Sequence, residues 1–371
     1  MSIRKKKEIV RFASKDTNLF ADRVKMKVDE YFSNRGISRY ANPGMWVKTV
    51  CMILLYILPY LALVLGFTDG SVWAFLGMWA LMGLGVVGIG TSVMHDANHG
   101  TYSSRKNVNA FMSHILEVIG GYTVTWRIQH NVLHHTYTNL NGLDEDITPT
   151  TFLRFSPSAE LKPYHRLQFI YAWVLYSAMT LFWMTAKDFR QLLRYERHDL
   201  LVKQKTTLPV ALTYLSIFKM FYFGYVIALP ILFSGFAWWM VVLGFVVMHV
   251  IAGLSLASIF QLAHIMESSD FAEPVIDKGG KKQMENNWAV HQLLNTSNYS
   301  PRNRFLTWFI GGLNYQIEHH LFPHICHVHY ARLSPIVRST AQEFGLPYHE
   351  QPNLFKALLS HVKMLRVLGR K

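Results

Sequence analysis

Cysteine is almost absent: 371 residues carry two, Cys51 and Cys326. One of them lies within an apolar run, and the pair offers no disulfide framework, no thiolate zinc site and no iron–sulfur ligand set. Charge is scarce as well, at 16% of residues, and acidic residues (23) are fewer than basic ones (37). Hydrophobic residues make up 51% and aromatics 14%, a balance that excludes an ordinary cytosolic globule and points to an integral membrane protein. The formal net charge of +14 would suit nucleic acid or an anionic lipid surface. The apolar runs select lipid, and no nucleic-acid partner is expected. The basic start MSIRKKKEIVRF is not followed by an apolar stretch at signal-peptide distance, so no cleaved signal is expected. There is no internal repeat, and no GxGxxG fingerprint follows a predicted strand.

What the chain does concentrate is histidine. Three clusters stand out: HDANH at 95–99, HNVLHH at 130–135 and QIEHH at 316–320. On helices, His95 with His99, then His130 with His134 and His135, then Gln316 with His319 and His320, each share one face. A single such pair is more often solvated or hydrogen-bonded than metal-binding; three, each beside a long apolar stretch, point to metal. Seven imidazoles and one amide exceed the needs of one tetrahedral zinc. They suit two metal ions with positions left open for a small ligand, and a non-haem di-iron site is expected. Asp96 and Glu318 lie inside the clusters, where each would either accept the outer N–H of a ligand histidine or pair with Lys or Arg. The run Asp144, Glu145, Asp146 reads equally as a solvated acidic tip or as contacts to the site.

Four apolar runs are long enough to span a bilayer, at about 45–67, 72–93, 209–233 and 236–262. The second leads straight into His95. The fourth ends at His264, whose matching depth makes it an eighth histidine ligand, whereas His249, some four turns earlier, and His114 are read as structural. Two weaker stretches, about 106–124 and 167–186, are read as interfacial helices, because all ligands must meet on one side and an even number of crossings must separate the clusters. Trp126 and Arg127 are expected at the headgroup level. Lys and Arg are rich in residues 1–44 and 187–205 and missing from the connections near 68–71 and 234–237. The positive-inside rule then puts both termini and every cluster in the cytoplasm. The fold expected is an all-α integral membrane protein: a basic cytosolic arm (1–44), then one domain (45–371) of four spanning helices in two hairpins under a cytosolic helical cap that holds the di-iron site.

At this point the residues resemble the membrane fatty acid desaturases with three histidine boxes. HDANH resembles the first box, HNVLHHTYTN the second, and GGLNYQIEHHLFP at 311–323 the third, in the form where glutamine replaces its leading histidine. That form is typical of front-end (delta-5, delta-6 type) members, which insert a double bond between an existing one and the carboxyl end. The resemblance covers about Met45 to Tyr348. It implies two iron ions held by His95, His99, His130, His134, His135, His264, His319 and His320, with Gln316 near iron, a bound water or substrate. It also implies dioxygen as co-substrate and a fatty acyl-CoA or acyl-lipid as substrate. The first 44 residues contain no histidine, so the fused haem domain of many eukaryotic front-end members is not expected there. The chain looks more like the stand-alone bacterial members of the inner membrane. With no redox motif of its own, it is expected to draw electrons from a ferredoxin or from cytochrome b5 with its reductase.

Removing hydrogen from an unactivated methylene needs an oxidant that side chains cannot supply and a metal that activates dioxygen can. Two rival readings remain. A membrane hydroxylase or ketolase acting on alkyl or carotenoid substrates uses similar boxes and gains one oxygen instead of losing two hydrogens. A metal transporter with cytosolic histidines would need ionisable residues along its spans, and apart from Lys48, Lys219 and His249 these have almost none.

Overall fold

The structure, a computed structural model, describes residues 10–13, 19–147, 151–276 and 279–370. Part of the expected arm, 1–9 and 14–18, therefore lies outside the described residues. The rest of that stretch contains helix α1 (Leu19–Arg35). Four helices follow that are long and apolar enough to cross a membrane: α2 (Pro43–Val64), α3 (Val72–Asn98), α4 (Leu208–Phe233) and α5 (Trp238–His264). Helices α6 (Trp288–Asn295), α7 (Gln316–Leu321) and α8 (Tyr330–Glu343) come after them. The protein is thus a mostly helical integral membrane protein. Among the described residues the only strands are two-residue pairings, Val275–Ile276 with Lys282–Gln283 and Asn298–Tyr299 with Glu350–Gln351.

The expected spans match within a few residues, with one informative exception. Helix α3 does not stop before the first histidine cluster but runs through it, so His95 lies on the membrane helix itself. The two weaker stretches are broken rather than continuous. The first divides into Lys106–Ser113 and Ile115–Val118 around His114. The second is a pair, Pro163–Ser177 and Met179–Arg197, bent by 54°. Counted as one span, that pair would make a fifth crossing.

Contacts divide the chain into two compact units. One takes Pro43–Arg127 and Trp173–Ser258; the other takes the described residues before Pro43, Ile128–Ala172 and those from Ile259 onward. In the first, GLGVVG at 83–88 has the spacing of a nucleotide fingerprint but lies inside α3, where its glycines let helices touch. A Cβ on Gly85 would stand 2.8–2.9 Å from Tyr56 of α2, and one on Gly83 would stand 2.6 Å from the Met248 carbonyl of α5. Leucine at 85 meets backbone that cannot rotate away, so Gly85→Leu should cost at least the ~1–3 kcal/mol typical of overpacking. Gly77 has open space around its missing Cβ, and Gly77→Ala should be neutral or stabilising. Melting temperatures of the two purified variants test the contrast.

Two of the ionisable groups in the spans, Lys219 and His249, make hydrogen bonds between elements. Lys219 of α4 places Nζ 2.8 Å from Asp188 Oδ2 and 2.7 Å from the Gly120 carbonyl. Asp188 Oδ1 in turn accepts from Thr125 Oγ1 at 2.7 Å and Trp183 Nε1 at 3.1 Å. His249 shares a 2.9 Å hydrogen bond with the Tyr222 hydroxyl. A buried lysine whose charge is met by a hydrogen-bonded carboxylate ties helices together; it is not a link in a transport pathway.

In the second unit α1 is amphipathic. Phe20, Val24, Val28, Tyr31 and Phe32 are buried in one cluster with Leu321, Leu333 and Val337, while Arg23, Lys25 and Arg35 stay exposed. This part of the arm belongs to the folded body.

Candidate metal centre

The first box lies in the first unit. A π-helical turn, Ile89–Val93, interrupts α3 just before it, the kind of local insertion that recurs at functional sites. The His95 and His99 rings then lie 4.7 Å apart, centroid to centroid. Trp126 is buried edge-on against both, at 5.6 and 5.8 Å, and so packs on the two rings. Arg127 likewise turns inward: it donates to Asn98 Oδ1 at 2.8 Å and to Ser113 Oγ at 2.9 Å, fixing the end of α3. Asp96 Oδ1 is 3.7 Å from His95 Nδ1. That is longer than a hydrogen bond, so the two meet as charge neighbours at this pair of atoms.

The other two boxes and His264 lie in the second unit. The second box is π-helical over Ile128–His134, not α-helical as its spacing suggests. The wider turn, with its i→i+5 bonding, brings residues four and five apart onto one side. His130 Nε2 thus stands 3.2 Å from His135 Nε2, which is 3.0 Å from His319 Nε2. The third box forms the six-residue α7, every residue of which is buried. It follows the Gly311–Gly312 turn, where φ is positive at both glycines and a Cβ on Gly312 would crowd the His327 carbonyl at 3.2 Å.

Whether these residues suit a metal depends on where their nitrogens are committed. His134 Nδ1 meets both Asp144 oxygens, at 3.0 and 3.1 Å. His264 Nδ1 meets the Asn295 carbonyl at 3.3 Å, and His320 Nδ1 meets Gln292 Oε1 at 2.8 Å. Each outer N–H is therefore spoken for, and the Nε2 lone pair is left on the other side of each ring. All three Nε2 atoms are buried without a hydrogen-bond partner. One ring nitrogen from each lies within 4.8 Å of the others, and with Nδ1 engaged, that nitrogen is Nε2. Three converging, unpaired, buried lone pairs are costly unless a cation meets them. His135, His319 and His320 make a second group within the same limit. The two groups share His320, and either could hold a metal ion.

Burial would lower His134, but the Asp144 and Asp146 carboxylates outweigh it and raise the imidazole to about 9, so binding a metal at this ring releases the proton on Nε2 while Asp144 keeps the one on Nδ1. Burial, reinforced by His135, His134 and His264, holds His320 well below its ordinary value and therefore neutral. A neutral imidazole is the form that binds metal.

The fatty acid desaturase family matches residues 71–352. The chain belongs to the fatty acid desaturase family. Its relatives include an sn-1 linoleoyl-lipid 6-desaturase of Synechocystis sp., 35% identical over 94% of each chain. Another, of the same description, is from Arthrospira platensis, 33% identical over 94% of this chain and 92% of that one. An acyl-lipid (8-3)-desaturase of Physcomitrium patens is 32% identical over 98% of this chain and 74% of its own. These relatives are named as desaturases, and the hydroxylase or ketolase reading has no support.

Iron is the metal this family uses, and the desaturase's histidine groups can hold it. Three placements differ from expectation or were left open. Glu318 reaches neither a ligand histidine nor a basic residue; it accepts from Asn298 Nδ2 and the Tyr348 hydroxyl, both at 2.8 Å. Burial pushes its carboxyl up to about 7 against the pull of those two bonds. Gln316 is buried at the start of α7, and its Nε2 has no hydrogen-bond partner. Asp144 is no solvated tip but a wholly buried acceptor on His134, itself held by the backbone N–H groups of Asn139 and Asp146. His329 bonds the Tyr40 carbonyl at 3.2 Å, a structural tie. Sequence reading missed Gln292, Asn295 and Tyr330, whose hydroxyl lies 3.2 Å from His319 Nδ1. The available signal was HQLLN at 291–295, three polar residues with His291 and Gln292 each one helical turn from Asn295 in an otherwise apolar short helix.

Proposed function

We propose that the protein inserts a cis double bond into the acyl chains of membrane glycerolipids, on the carboxyl side of a double bond already present. The three buried, unpartnered Nε2 atoms of His134, His264 and His320 carry the metal part of this reading. The relatives' names, with glutamine at 316 leading the third box, support the substrate and position. Two irons would be held by His130, His134, His135, His264, His319 and His320, with His95 and His99 of the first box completing the set and Gln316 near a bound water or the substrate. Bound iron supplies dioxygen activation, by which two hydrogens leave the chain and water forms. The protein's own residues hold the imidazoles in the metal-binding tautomer through Asp144, Asn295 and Gln292. Apolar burial around the site keeps bulk water away.

The test is expression in a host that makes no polyunsaturated chains, followed by location of any new double bond. Supplied linoleoyl lipid should gain a bond at carbon 6, and saturated chains alone should give little product. Efficient conversion of stearoyl to oleoyl groups would overturn the front-end position and leave the desaturase intact. A product heavier by one oxygen would overturn both.

The membrane arrangement proposed is four spans in two hairpins, α2 with α3 and α4 with α5, with the bent pair Pro163–Ser177 and Met179–Arg197 lying at or re-entering the interface. Both termini and all three boxes then face the cytoplasm, in a bacterial inner membrane. Reporters at either terminus and near Leu200 should read cytoplasmic, and one near Gly70 should read exported. An exported reading near Leu200 means that the bent pair crosses.

A further inference from the structure

Helix α6 comes from outside the three boxes, yet it touches the surroundings of every metal-facing histidine group in its unit. Its Trp288 Nε1 donates to the His135 carbonyl at 3.0 Å, and His291 Nε2 bonds the Thr138 carbonyl at 2.8 Å. Its Asn295 carbonyl meets His264 Nδ1, and its Gln292 Oε1 meets His320 Nδ1 at 2.8 Å and Thr138 Oγ1 at 2.8 Å. The helix is anchored by an Asn287 cap, whose side chain accepts from the Val290 N–H at 3.0 Å. Gln292 is wholly buried and its Nε2 has no hydrogen-bond partner.

We infer that Gln292 is a positioning residue of the metal centre: its oxygen fixes His320 in the Nδ1–H tautomer, so that Nε2 keeps its lone pair for metal. Amide oxygen and nitrogen are interchangeable by a flip, and the two orientations have opposite consequences. With oxygen toward His320, the ring must donate and Nε2 is a ligand. With nitrogen toward His320, the ring must accept, Nε2 carries the proton, and ligation is lost. The Thr138 hydroxyl is poised between the two, since it also lies 2.7 Å from the His134 carbonyl. It can donate to Gln292 only by releasing that carbonyl. Metal at Nε2 is what selects the oxygen-inward state, and Gln292 in return keeps the ring from turning. The Gln292 Nε2 then stays buried without a hydrogen-bond partner among the described residues.

This inference rests on the metal reading proposed above, and the experiment separates the two. Full-length wild type, Gln292→Glu and Gln292→Leu are purified, and bound iron per chain is measured. Visible spectra follow after Co²⁺ replaces iron, with melting temperature of each metal-free protein as the control for folding. Wild type without bound iron would overturn the metal reading itself. With iron present in wild type, Gln292→Leu, which offers no acceptor, should fall to half the wild-type iron or less while its metal-free melting temperature stays close to wild type. Gln292→Glu keeps an acceptor toward Nδ1–H and should retain iron. Its Co²⁺ bands should shift, because a carboxylate there makes the ring a stronger donor. Full iron and unchanged bands in Gln292→Leu would overturn the assignment. Should Gln292→Leu fail to fold, Gln292→Glu decides: loss of iron or unshifted bands overturns it, and retained iron with shifted bands supports it.

Discussion

His320→Ala should abolish desaturation and lower bound iron, while the protein is still made and inserted in the membrane. His320 belongs to both histidine groups of the second unit, with His134 and His264 on one side and with His135 and His319 on the other. Its one free lone pair, on Nε2, can serve a single ion, and its loss removes that ligand outright. Loss of the outer partner of a ligand histidine typically costs 10–100-fold in affinity or activity, so removing the ligand itself should exceed about a hundredfold. Asp144→Asn offers the graded comparison. It leaves His134 in place but weakens the acceptor behind it, and should fall within that 10–100-fold range. Product formation in membranes and iron per chain check both variants. A fully active His320→Ala protein would remove the metal assignment, because the other buried imidazole of α7, His319, is already counted among the ligands.

The spans were legible because a bilayer leaves no alternative to a long apolar helix, and α2, α4 and α5 end within a few residues of where their apolar runs end. The end of α3 was not, since hydropathy falls at His95 while the helical hydrogen bonding continues to Asn98. The π turns at Ile89–Val93 and Ile128–His134 leave no compositional mark. They change which backbone bond is made, not which residues are used. The three boxes were legible because three- and four-residue spacing puts imidazoles on one face of a helix, while the five-residue step from His130 to His135 comes together only through the π turn. What holds those imidazoles was harder to see. Asp144 sits in an acidic run that looks like solvated loop until the fold buries it. Gln292 and Asn295 act through a hydrogen bond and a backbone carbonyl on a short helix distant in sequence from His320 and His264. Such contacts are properties of the tertiary fold and have no spacing rule. The basic arm shows the same limit from the other side. Its net charge drew attention, while the apolar face of α1, from Phe20 to Phe32, supplies its place in the core.

The purified enzyme, given oxygen, lipid substrate and NADPH, should stay inactive until an electron carrier and its reductase are added. Each double bond formed with reduction of dioxygen to water needs two electrons beyond those leaving the chain. The sequence holds no cluster of cysteines and no haem motif. Its one GxGxxG spacing, Gly83 to Gly88, is spent on helix contacts within α3, where it cannot cradle a nucleotide. A separate ferredoxin or cytochrome b5 is therefore proposed as the donor. Both are commonly acidic, and the desaturase carries a formal charge of +14, with Lys and Arg concentrated in the arm, in 187–205 and near the C-terminal end. Opposite charges steer weak redox encounters and act mainly on their rate. The restored activity should then fall as added salt shortens the reach of these charges to about 10 Å at 0.1 M and about 3 Å at 1 M. Oxygen uptake and product measured across a salt series, at fixed and limiting carrier, give the slope. Activity with NADPH alone would reveal a redox centre inside the chain and overturn the separate donor. A carrier-dependent rate that ignores salt would leave the donor in place and remove the electrostatic docking.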